Sequence, residues 1–504
     1  MLEWRSEYRR RSGHRGDAVS LEHRLLARAS ATPDAPALET PGGTLSFARL
    51  ADLAARGATY LDRIDPGGEA PVALLLDGGA EFTVWFHAAA LAGRGVLPLN
   101  LRLTVDELAQ QLEHAGARCL LGAADDRRLP ELASRLPLLR AEQPPRSASL
   151  PQSPALCAPR GRDDGRTLAV LYTSGTSGRP KGACLSWANF LASAVAAEER
   201  LGDSVHLRWL VCMPLFHVGG LSMLVRSVVF GAPLRLHDRF DAGAVSDALD
   251  AGDIAGISLV PTMLSRLLAH RGSRPAPAGL QVVLLGGAAA PTQLVTRALE
   301  AGYPVCPTYG LTEATSQVAT ASRPLSGATA PQPMRALLGT RIRIVSEGRE
   351  ARAGEAGEIL VQGPTVMQGY LDDPAATAHA LRDGWLHTGD VGCLDAQGAL
   401  HVFDRREDLV VSGGENVYPA EVEAVLLEHP AVADAGVSGV PDGDLGARVT
   451  AWIVAAAGPA PSIEELQRHC RERLAGYKQP REFRFVAALP RTASGKLQRR
   501  QLGR

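Results

Sequence analysis

A ten-residue loop rich in glycine and hydroxyl side chains is the feature that most constrains this chain. Residues 173–182 read TSGTSGRPKG and directly follow the apolar run 169–172, which predicts a buried strand. Glycines let backbone N–H groups approach an anion closely, and a lysine ammonium supplies a compensating charge. The loop does not fit the P-loop pattern G-x-x-x-x-G-K-S/T, because Pro180 precedes Lys181 and Gly182 follows it. The segment therefore predicts a phosphate-binding loop of another kind, with a flexible surface loop as the alternative.

Lysine is rare in this chain. Of its 53 lysine and arginine residues, only Lys181, Lys478 and Lys496 are lysines. An ammonium is a compact point charge, so a chain that otherwise uses arginine is expected to keep lysine where the chemistry requires it. Lys181 and Lys496 both lie in Thr/Ser/Gly loops, TSGTSGRPKG and PRTASGK. This placement favours a catalytic Lys496 over a solvated residue of the tail.

Length, charge and cysteine content bound the class of protein. At 504 residues the chain exceeds what one hydrophobic core usually supports, so at least two domains are expected. A formal net charge of -1 gives no electrostatic reason to expect binding to nucleic acid or to a membrane, and no apolar run is long enough to span a bilayer. The seven cysteines include no CxxC pair, which is typical of reduced thiols in a cytoplasmic protein. Residues 1–20 are expected to form a disordered leader. The sequence leaves open whether the protein forms a homo-oligomer.

Helical and strand patterns alternate along most of the chain, which predicts an α/β fold. Two subdomains with parallel sheets are expected, over residues 21–121 and 167–320. Short alternating strands over residues 340–403 predict a small β unit after them. Pro/Ser/Arg-rich residues 141–166 are expected to form a linker or an exposed loop.

A domain boundary is predicted near residues 404–408. Residues 21–403 are assigned to an N-terminal domain, 404–407 to a hinge, and 408–504 to a smaller α+β C-terminal domain of a size that can fold alone.

The strand-like runs of the second subdomain end in polar loops. These runs are 168–172, 209–212, 234–236, 256–260 and 282–285. Loops rich in Gly, Pro and Thr, such as PLFHVGG, GGAAAP and TYGLTE, follow the ends of several strands. In open α/β sheets ligands bind at the carboxyl ends of strands, so these loops and the phosphate loop predict one crevice.

Six motifs, in this order along the chain, resemble signatures of the adenylate-forming superfamily of acyl-CoA synthetases, adenylation domains and luciferases. They are TSGTSGRPKG, PLFHVGG, TYGLTEAT, GWLHTGDVG, DRREDLVVSGGENVYPAEVE and PRTASGK. Three longer segments are similar to the o-succinylbenzoate-CoA ligases of menaquinone biosynthesis: RWLVCMPLFHVGGLSMLVRSVVFG, TYGLTEATSQVAT and FDRREDLVVSGGENVYPAEVE.

The resemblance implies a reaction in two steps. A carboxylate attacks the α-phosphate of ATP to give acyl-AMP and pyrophosphate, and the thiol of coenzyme A then displaces AMP. ATP, Mg²⁺ and coenzyme A are therefore expected to bind, together with a small carboxylic acid. Negative charge meets negative charge in the first step, so the protein must supply cations and oriented donors.

The resemblance also implies roles for individual residues. The β- and γ-phosphates are expected to be bound by Thr173, Ser174, Gly175, Thr176, Ser177, Gly178 and Lys181. Thr312 is expected to contact the α-phosphate, and Glu313 to bind Mg²⁺ through a hard carboxylate oxygen. The nucleoside is assigned to Gly286, Gly287, Tyr309, Gly310, Asp390 and Arg405. Among these, Tyr309 offers a ring face to adenine, and Asp390 accepts from the ribose hydroxyls.

The C-terminal domain is expected to rotate between the two steps. Lys496 resembles the lysine that bridges the attacking carboxylate and the nucleotide, and rotation about Asp404 and Glu407 would withdraw it. The same rotation would bring Gly413 and Gly414 to the pantetheine path. The family usually has glycine at the position of Asp404 and aspartate at that of Glu407.

The acyl pocket is assigned to His217, Ser316 and Arg226. His217 lies in PLFHVGG and is predicted to gate the acyl pocket and the thiol tunnel, with a packed core histidine as the alternative. Arg226 interrupts the apolar run 221–230, and a buried arginine needs an anionic partner. Either a protein carboxylate or the second carboxylate of o-succinylbenzoate fits that need. An arginine whose charged end snorkels to the solvent is the alternative.

Other functions are weaker matches to the sequence. The chain has no G-x-S-x-G elbow and no HExxH zinc motif. A CoA ligase for another aryl or aliphatic acid is the nearest alternative, and a non-enzymatic nucleotide sensor is the alternative from another class.

Overall fold

The computed structural model describes most of the chain. The described residues are 21–123, 125–136, 140–142, 165–174, 180–287, 290, 292–325, 327–404, 410–417, 419–490 and 499–502. The predicted leader, residues 1–20, lies outside this range.

The helices are given in chain order. They are α1 Leu21–Ala31, α2 Phe47–Ile64, α3 Ala80–Leu91, α4 Val105–His114, α5 Arg128–Arg135, α6 Trp187–Leu201 and α7 Val218–Phe230. Six further helices follow: α8 Ala242–Asp250, α9 Pro261–Arg271, α10 Thr292–Glu300, α11 Pro374–Ala380, α12 Pro419–Leu427 and α13 Ile463–Arg473.

The strands are also given in chain order. They begin with β1 Pro36–Thr40, β2 Gly43–Ser46, β3 Val72–Leu75, β4 Val96–Pro98, β5 Cys119–Gly122, β6 Arg140–Glu142, β7 Thr167–Ser174, β8 Pro180–Ser186 and β9 Trp209–Val211. They continue with β10 Leu234–Leu236, β11 Gly256–Leu259, β12 Val282–Leu285, β13 Val305–Leu311, β14 Ser316–Ala321, β15 Met334–Ala336, β16 Arg341–Ser346, β17 Arg349–Glu350 and β18 Gly357–Gln362. The last are β19 Gly369–Tyr370, β20 Leu381–Arg382, β21 Trp385–Leu394, β22 Leu400–Asp404, β23 Val410–Ser412, β24 Glu415–Val417, β25 Val432–Asp442, β26 Gly446–Ala455 and β27 Glu482–Phe485.

Two largely parallel sheets form the centre of the N-terminal domain. The first has the strand order β19-β8-β7-β4-β3-β5-β6, and the second the order β15-β14-β13-β12-β11-β9-β10-β1-β2. Strands β3 and β12, VALL and VVLL, are buried along their whole length, as expected for strands covered on both faces. The α/β class is thus confirmed, and four of the five predicted runs became β9, β10, β11 and β12 of the second sheet. The fifth run, 168–172, became β7 but lies in the first sheet beside β4, whereas β1 and β2 lie in the second sheet beside β10. The predicted division into subdomains 21–121 and 167–320 is therefore wrong for these strands, because strand pairing does not follow chain order there.

The small β unit and the C-terminal domain have their own sheets. Strands β16, β17, β18, β20, β21 and β22 pair antiparallel over the region predicted for the small β unit. In the C-terminal domain β24-β23-β26-β25 form a sheet that β27 joins through β26. A separate hydrophobic core, which includes Val422, Val437 and Leu466, lies under this sheet. Residues 405–409 lie outside the described part and include three residues of the predicted hinge 404–407, so the exact boundary stays a prediction.

The Thr-x-x-Glu pattern of residues 104–107 predicts a capping box, and helix α4 begins there. The side chain of Thr104 accepts from the backbone N–H of Glu107, and Glu107 Oε2 accepts from the backbone N–H of Thr104 at 2.9 Å. This reciprocal capping box fixes the Glu107 side chain at the start of the helix.

The predicted linker 141–166 is wrong at its first two residues. Ala141 and Glu142 belong to edge strand β6, which pairs in parallel with β5 through Leu120 and Leu121. Backbone hydrogen bonds to a neighbouring strand outweigh a side-chain composition that by itself favours a loop. None of the described helices is long and apolar enough to cross a membrane.

Gly256 is required by the packing between β11 and β9. A Cβ atom built there would lie 2.3 Å from the indole of Trp209, the residue that Gly256 faces on β9. We predict that Gly256→Ala lowers the free energy of unfolding by ~1–3 kcal/mol, because the fully buried indole must be displaced. Denaturant titration of the two variants checks this against Gly42→Ala, in the turn between β1 and β2 of the same sheet, where a Cβ would make an ordinary 3.6 Å contact with Thr40. Equal stability of the two variants would contradict the packing argument.

Candidate active site

A cavity of about 270 Å³ lies at the carboxyl ends of the second sheet. Residues that follow β9, β11 and β12 line it, together with residues of β13 and of the turn that leads into β14. Gly414 and Glu415 of the C-terminal domain close one side. The predicted crevice is therefore present, with walls from both domains.

A hydroxyl-rich cluster surrounds Glu313 next to the phosphate loop. Glu313 is 5% exposed, and its Oε1 accepts from the hydroxyl of Tyr370 at 2.9 Å and from Thr173 Oγ1 at 3.4 Å. The ammonium of Lys181 lies 5.3 Å from the centre of the Tyr370 ring, a cation–π distance. Strands β7 and β8 pair on either side of the loop, which brings Thr173 opposite Lys181. Thr173 and Glu313 line the cavity, and Tyr370 and Lys181 lie next to them.

The turn that carries Thr312 and Glu313 has an unusual backbone. It is a single 3-10 turn between β13 and β14, and Thr315 and Ser316 after it have φ values of 50° and 84°. A β-branched residue at positive φ is strained, and such strain clusters at functional sites. The Thr315 hydroxyl donates to the carbonyl of Thr365 at 2.6 Å, which helps to hold this conformation. Thr312, Glu313 and Ser316 all line the cavity.

The residues assigned to the nucleoside lie after β12, near the end of β13 and within β21. Gly286, Gly287, Gly310 and Asp390 line the cavity. A Cβ at Gly310 would lie 1.6 Å from the carbonyl oxygen of Ser316, so only glycine lets β13 and β14 approach here. Tyr309 is 5% exposed, and its hydroxyl donates to Asp390 Oδ2 at 2.7 Å. Tyr309 therefore orients the carboxylate of Asp390, and its contact with adenine stays a prediction.

His217 connects the two domains. It is the N-cap residue of α7, and its Nε2 lies 3.4 Å from Glu415 Oε2 of the C-terminal domain. Arg102 of the N-terminal domain pairs with the other oxygen of Glu415 at 2.6 Å. Burial raises the pKa of Glu415, but His217 and Arg102 outweigh it and the net pKa is lowered. The imidazole is partly exposed in the cavity wall, which contradicts the alternative of a packed core histidine.

Arg226 lies in the cavity wall with a neutral partner. The residue is 4% exposed, its Nη2 donates to the side-chain oxygen of Gln317, and its Nη1 lies 3.9 Å from the sulfur of Met223. Among the described residues, no carboxylate lies within ion-pair distance of this guanidinium. Burial lowers the pKa of Arg226 to about 10, which leaves it charged at neutral pH. The sequence predicted either a protein carboxylate or a carboxylate of the substrate as the partner of Arg226. The described residues supply no carboxylate or other negative charge to it.

Gln317 is itself held by a buried network. Its side-chain nitrogen donates to Thr320 Oγ1 at 2.9 Å, and the Thr320 and Thr308 hydroxyls lie 2.7 Å apart. This network turns the amide oxygen of Gln317 toward Arg226.

The glycine turn of the C-terminal domain reaches the cavity. Gly413 and Gly414 form the turn between β23 and β24 with φ values of 59° and 84°. Gly414 lines the cavity, close to Val260 and Thr262 at the start of α9.

Several predicted site residues lie outside the described part. They are Gly175, Thr176, Ser177, Gly178, Arg405, Glu407 and Lys496. For Ser174 and Asp404 only the backbone is described, as the ends of β7 and β22.

Three residues at the site had no prediction of their own. Tyr370 was missed because a tyrosine in a Gly-Tyr pair shows no ligand pattern, and Gln317 because a neutral amide in a strand is common. Glu415 lies beside the predicted Gly414 in SGGENVYP, and a carboxylate next to a glycine turn was the available signal.

The chain is similar to known proteins over nearly its whole length. It is 41% identical over 485 residues to a 2-succinylbenzoate--CoA ligase of Bacillus licheniformis, with 95% of this chain and 98% of the relative covered. A double mutant of o-succinylbenzoate CoA synthetase from Bacillus subtilis, bound to its product analogue OSB-NCoA, superposes with a TM-score of 0.87 at 37% identity, over 95% of this chain and 98% of that chain. The same Bacillus subtilis enzyme in complex with the acyl-adenylate intermediate OSB-AMP gives 0.70, and with ATP and magnesium ion 0.69, at the same identity and coverage.

The difference between these scores concerns conformation, because the compared sequences are nearly the same. The arrangement of this chain is thus closer to that of the OSB-NCoA complex than to that of the OSB-AMP complex.

Residues 25–371 match the AMP-binding enzyme family, and residues 421–496 match the AMP-binding enzyme C-terminal domain. The chain belongs to the AMP-binding enzyme family.

Proposed function

We propose that this protein is an ATP-dependent acid-CoA ligase whose acid is 2-succinylbenzoate. In the first step the acid carboxylate attacks the α-phosphate of ATP and pyrophosphate leaves, which gives the acyl-AMP. In the second step the thiolate of coenzyme A attacks the acyl carbon and AMP leaves, which gives the thioester. Identity of 41% to a ligase of this name, over nearly the full length, supports the class of reaction.

The buried charge of Arg226 is the observation that carries the choice of acid. A guanidinium that is 4% exposed and has only a neutral hydrogen-bond partner among the described residues requires an anion from elsewhere. 2-Succinylbenzoate has two carboxylates, of which one is activated and the other is free to pair with this arginine. An acid with one carboxylate would leave the guanidinium uncompensated once the pocket is filled. Gln317 accepts a hydrogen bond from this arginine, and both residues line the cavity.

The residues around Glu313 fit the first step. Mg²⁺ prefers hard oxygen ligands, and a buried carboxylate beside two hydroxyls in the cavity wall offers them. Bound there, Mg²⁺ would offset charge on the phosphates of ATP. Lys181 adds a second cation, and Asp390, oriented by the Tyr309 hydroxyl, is suited to accept from the ribose hydroxyls.

The wall formed by the C-terminal domain fits the second step. Gly414 presents backbone without a side chain at the cavity, and His217 and Glu415 flank it. We propose that pantetheine enters along this wall, and that the same domain, in a second arrangement about residues 404–407, brings Lys496 to the nucleotide. We also propose a cytoplasmic location, on the composition of the chain and its scattered cysteines.

An assay of both products tests the proposed function. The full-length protein is incubated with ATP, Mg²⁺ and 2-succinylbenzoate, with and without coenzyme A, and pyrophosphate, AMP and thioester are quantified. We expect pyrophosphate release without coenzyme A, up to about one equivalent of enzyme-bound acyl-AMP, and continuous AMP and thioester formation with it. Turnover with benzoate or a fatty acid but not with 2-succinylbenzoate would contradict the choice of acid, and the absence of any mixed anhydride would contradict the class.

Arg226→Leu separates recognition of the acid from the rest of the reaction. We predict that kcat/KM for 2-succinylbenzoate falls ~100-fold or more, since the loss of a buried charge pair with the substrate is worth ~3 kcal/mol, while the KM for ATP changes little. The temperature of unfolding without substrate is expected to stay level or rise, because an uncompensated buried charge is removed. Arg239→Leu, at an exposed position outside the cavity lining, is the control and should match the wild type. Normal turnover of 2-succinylbenzoate by Arg226→Leu would contradict the assignment.

Lys496→Ala separates the two half-reactions. We predict that it lowers the rate of adenylate formation by about two orders of magnitude, the effect of one lost charge-stabilising donor, and leaves thioester formation from supplied acyl-AMP near the wild-type rate. Rapid-quench measurement of each half-reaction checks this. Equal loss in both would contradict two arrangements of the C-terminal domain.

A further inference from the structure

Lys478 joins the two domains through a buried ammonium. The residue is 4% exposed, and its Nζ lies 2.8 Å from Glu107 Oε1 and 2.7 Å from Glu421 Oε1. Glu107 belongs to helix α4 of the N-terminal domain, whereas Glu421 and Lys478 belong to the C-terminal domain. One of these two short contacts therefore exists only while the domains are in this arrangement.

Each carboxylate has a local feature that favours its position. Glu107 Oε2 accepts from the backbone N–H of Thr104 in the capping box of α4, which turns Oε1 toward the interface. Glu421 lies in the first turn of α12, where the partial positive charge of the helix N-terminus favours a carboxylate. Of the two contacts of Lys478, only the one with Glu107 forms between the domains.

The surroundings make this contact sensitive to domain position. Burial opposes the charged ammonium, but Glu421 and Glu107 outweigh it, so the pKa of Lys478 is raised and the group stays charged. Burial also raises the pKa of Glu421, and its Oε2 has no hydrogen-bond partner among the described residues. Removal of the ammonium would leave two buried carboxylates facing each other, which strongly destabilises such a contact.

Two further contacts cross the same interface beside Lys478. Arg102 pairs with Glu415 at 2.6 Å, and the side chain of Asn100 donates to the hydroxyl of Tyr477 at 3.1 Å. Tyr477, Lys478 and Glu415 all reach the lining of the cavity. The interface is therefore continuous with the wall along which we propose that pantetheine enters.

We propose that Lys478 is a positioning residue that holds the C-terminal domain in the thioester-forming arrangement through its contact with Glu107. The inference rests on the proposed ligase function and on the closer match of this arrangement to the OSB-NCoA complex, with a TM-score of 0.87 against 0.70 for the OSB-AMP complex. It assigns the two lysines of the C-terminal domain to opposite steps. Lys496 serves adenylation, and Lys478 stabilises the arrangement for thioester formation.

The test measures the two half-reactions separately in Lys478→Met, Glu107→Gln and the double variant. Glutamine at position 107 can still accept from the backbone N–H of Thr104 in the capping box, so this change removes only the charge that faces Lys478. We expect thioester formation from supplied acyl-AMP and coenzyme A to slow about tenfold in each single variant, and adenylate formation to stay within about twofold of wild type. The double variant is expected to be no slower than Lys478→Met alone, because both changes break one contact and Glu107→Gln also removes one of the two carboxylates that would face each other. Arg471→Met, at an exposed arginine of the same domain, should match the wild type in both steps.

The outcomes separate this inference from the proposed function. If the wild-type protein forms no thioester from acyl-AMP, the proposed function fails before any variant is compared. If the wild type forms it and the single variants lose both half-reactions equally, or their effects multiply in the double variant, the positioning role is overturned. Should Lys478→Met fail to fold, Glu107→Gln decides alone, since its change lies in the N-terminal domain. Unchanged thioester formation in that variant would overturn the proposal.

Discussion

The site depends on bringing anions together in a protein interior. Two parallel sheets end near one crevice, and the loops there supply backbone N–H groups, hydroxyls and a few buried cations. Buried ionic groups are destabilising unless they are paired. The described cations of this site differ in how that requirement is met. Lys478 has two protein carboxylates, whereas Arg226 has a neutral amide. The first pattern indicates a structural contact, and the second indicates a binding site whose partner comes from outside.

The same logic applies to the carboxylates of the cavity. Glu415 pairs with Arg102 through one oxygen and contacts His217 through the other, and both contacts cross between the domains. Glu313 is surrounded by hydroxyls, which orient its oxygens without neutralising its charge. A carboxylate left without a described cation in a cavity suited to polyphosphate favours a metal ion as its partner. Charge balance thus separates residues that join the domains from residues for which we propose a bound ligand.

Much of the fold could be predicted because its signals are local. Runs such as WLV and VVLL are short, apolar and bounded by glycine loops, and they became β9 and β12 at nearly the predicted positions. The capping box of Thr104 and Glu107 predicted helix α4. Edge strand β6 was missed, because its residues take their strand conformation from β5 and not from their own composition. The motif loops were found because glycine and hydroxyl residues are concentrated there.

The contacts that decide specificity are not local, and the sequence alone does not contain them. The rarity of lysine drew attention to Lys478, yet Glu107 lies 371 residues earlier in the chain and nothing in the sequence connects the two. Arg226 was conspicuous within an apolar helix, but only the folded structure shows that Gln317, 91 residues later, is its described hydrogen-bond partner. Had a carboxylate stood at position 317, the same helix and the same arginine would have formed an ordinary buried ion pair. The binding role that we propose for Arg226 therefore depends on the neutrality of one amide on strand β14, and only the packing of helix α7 near that strand brings the two side chains together.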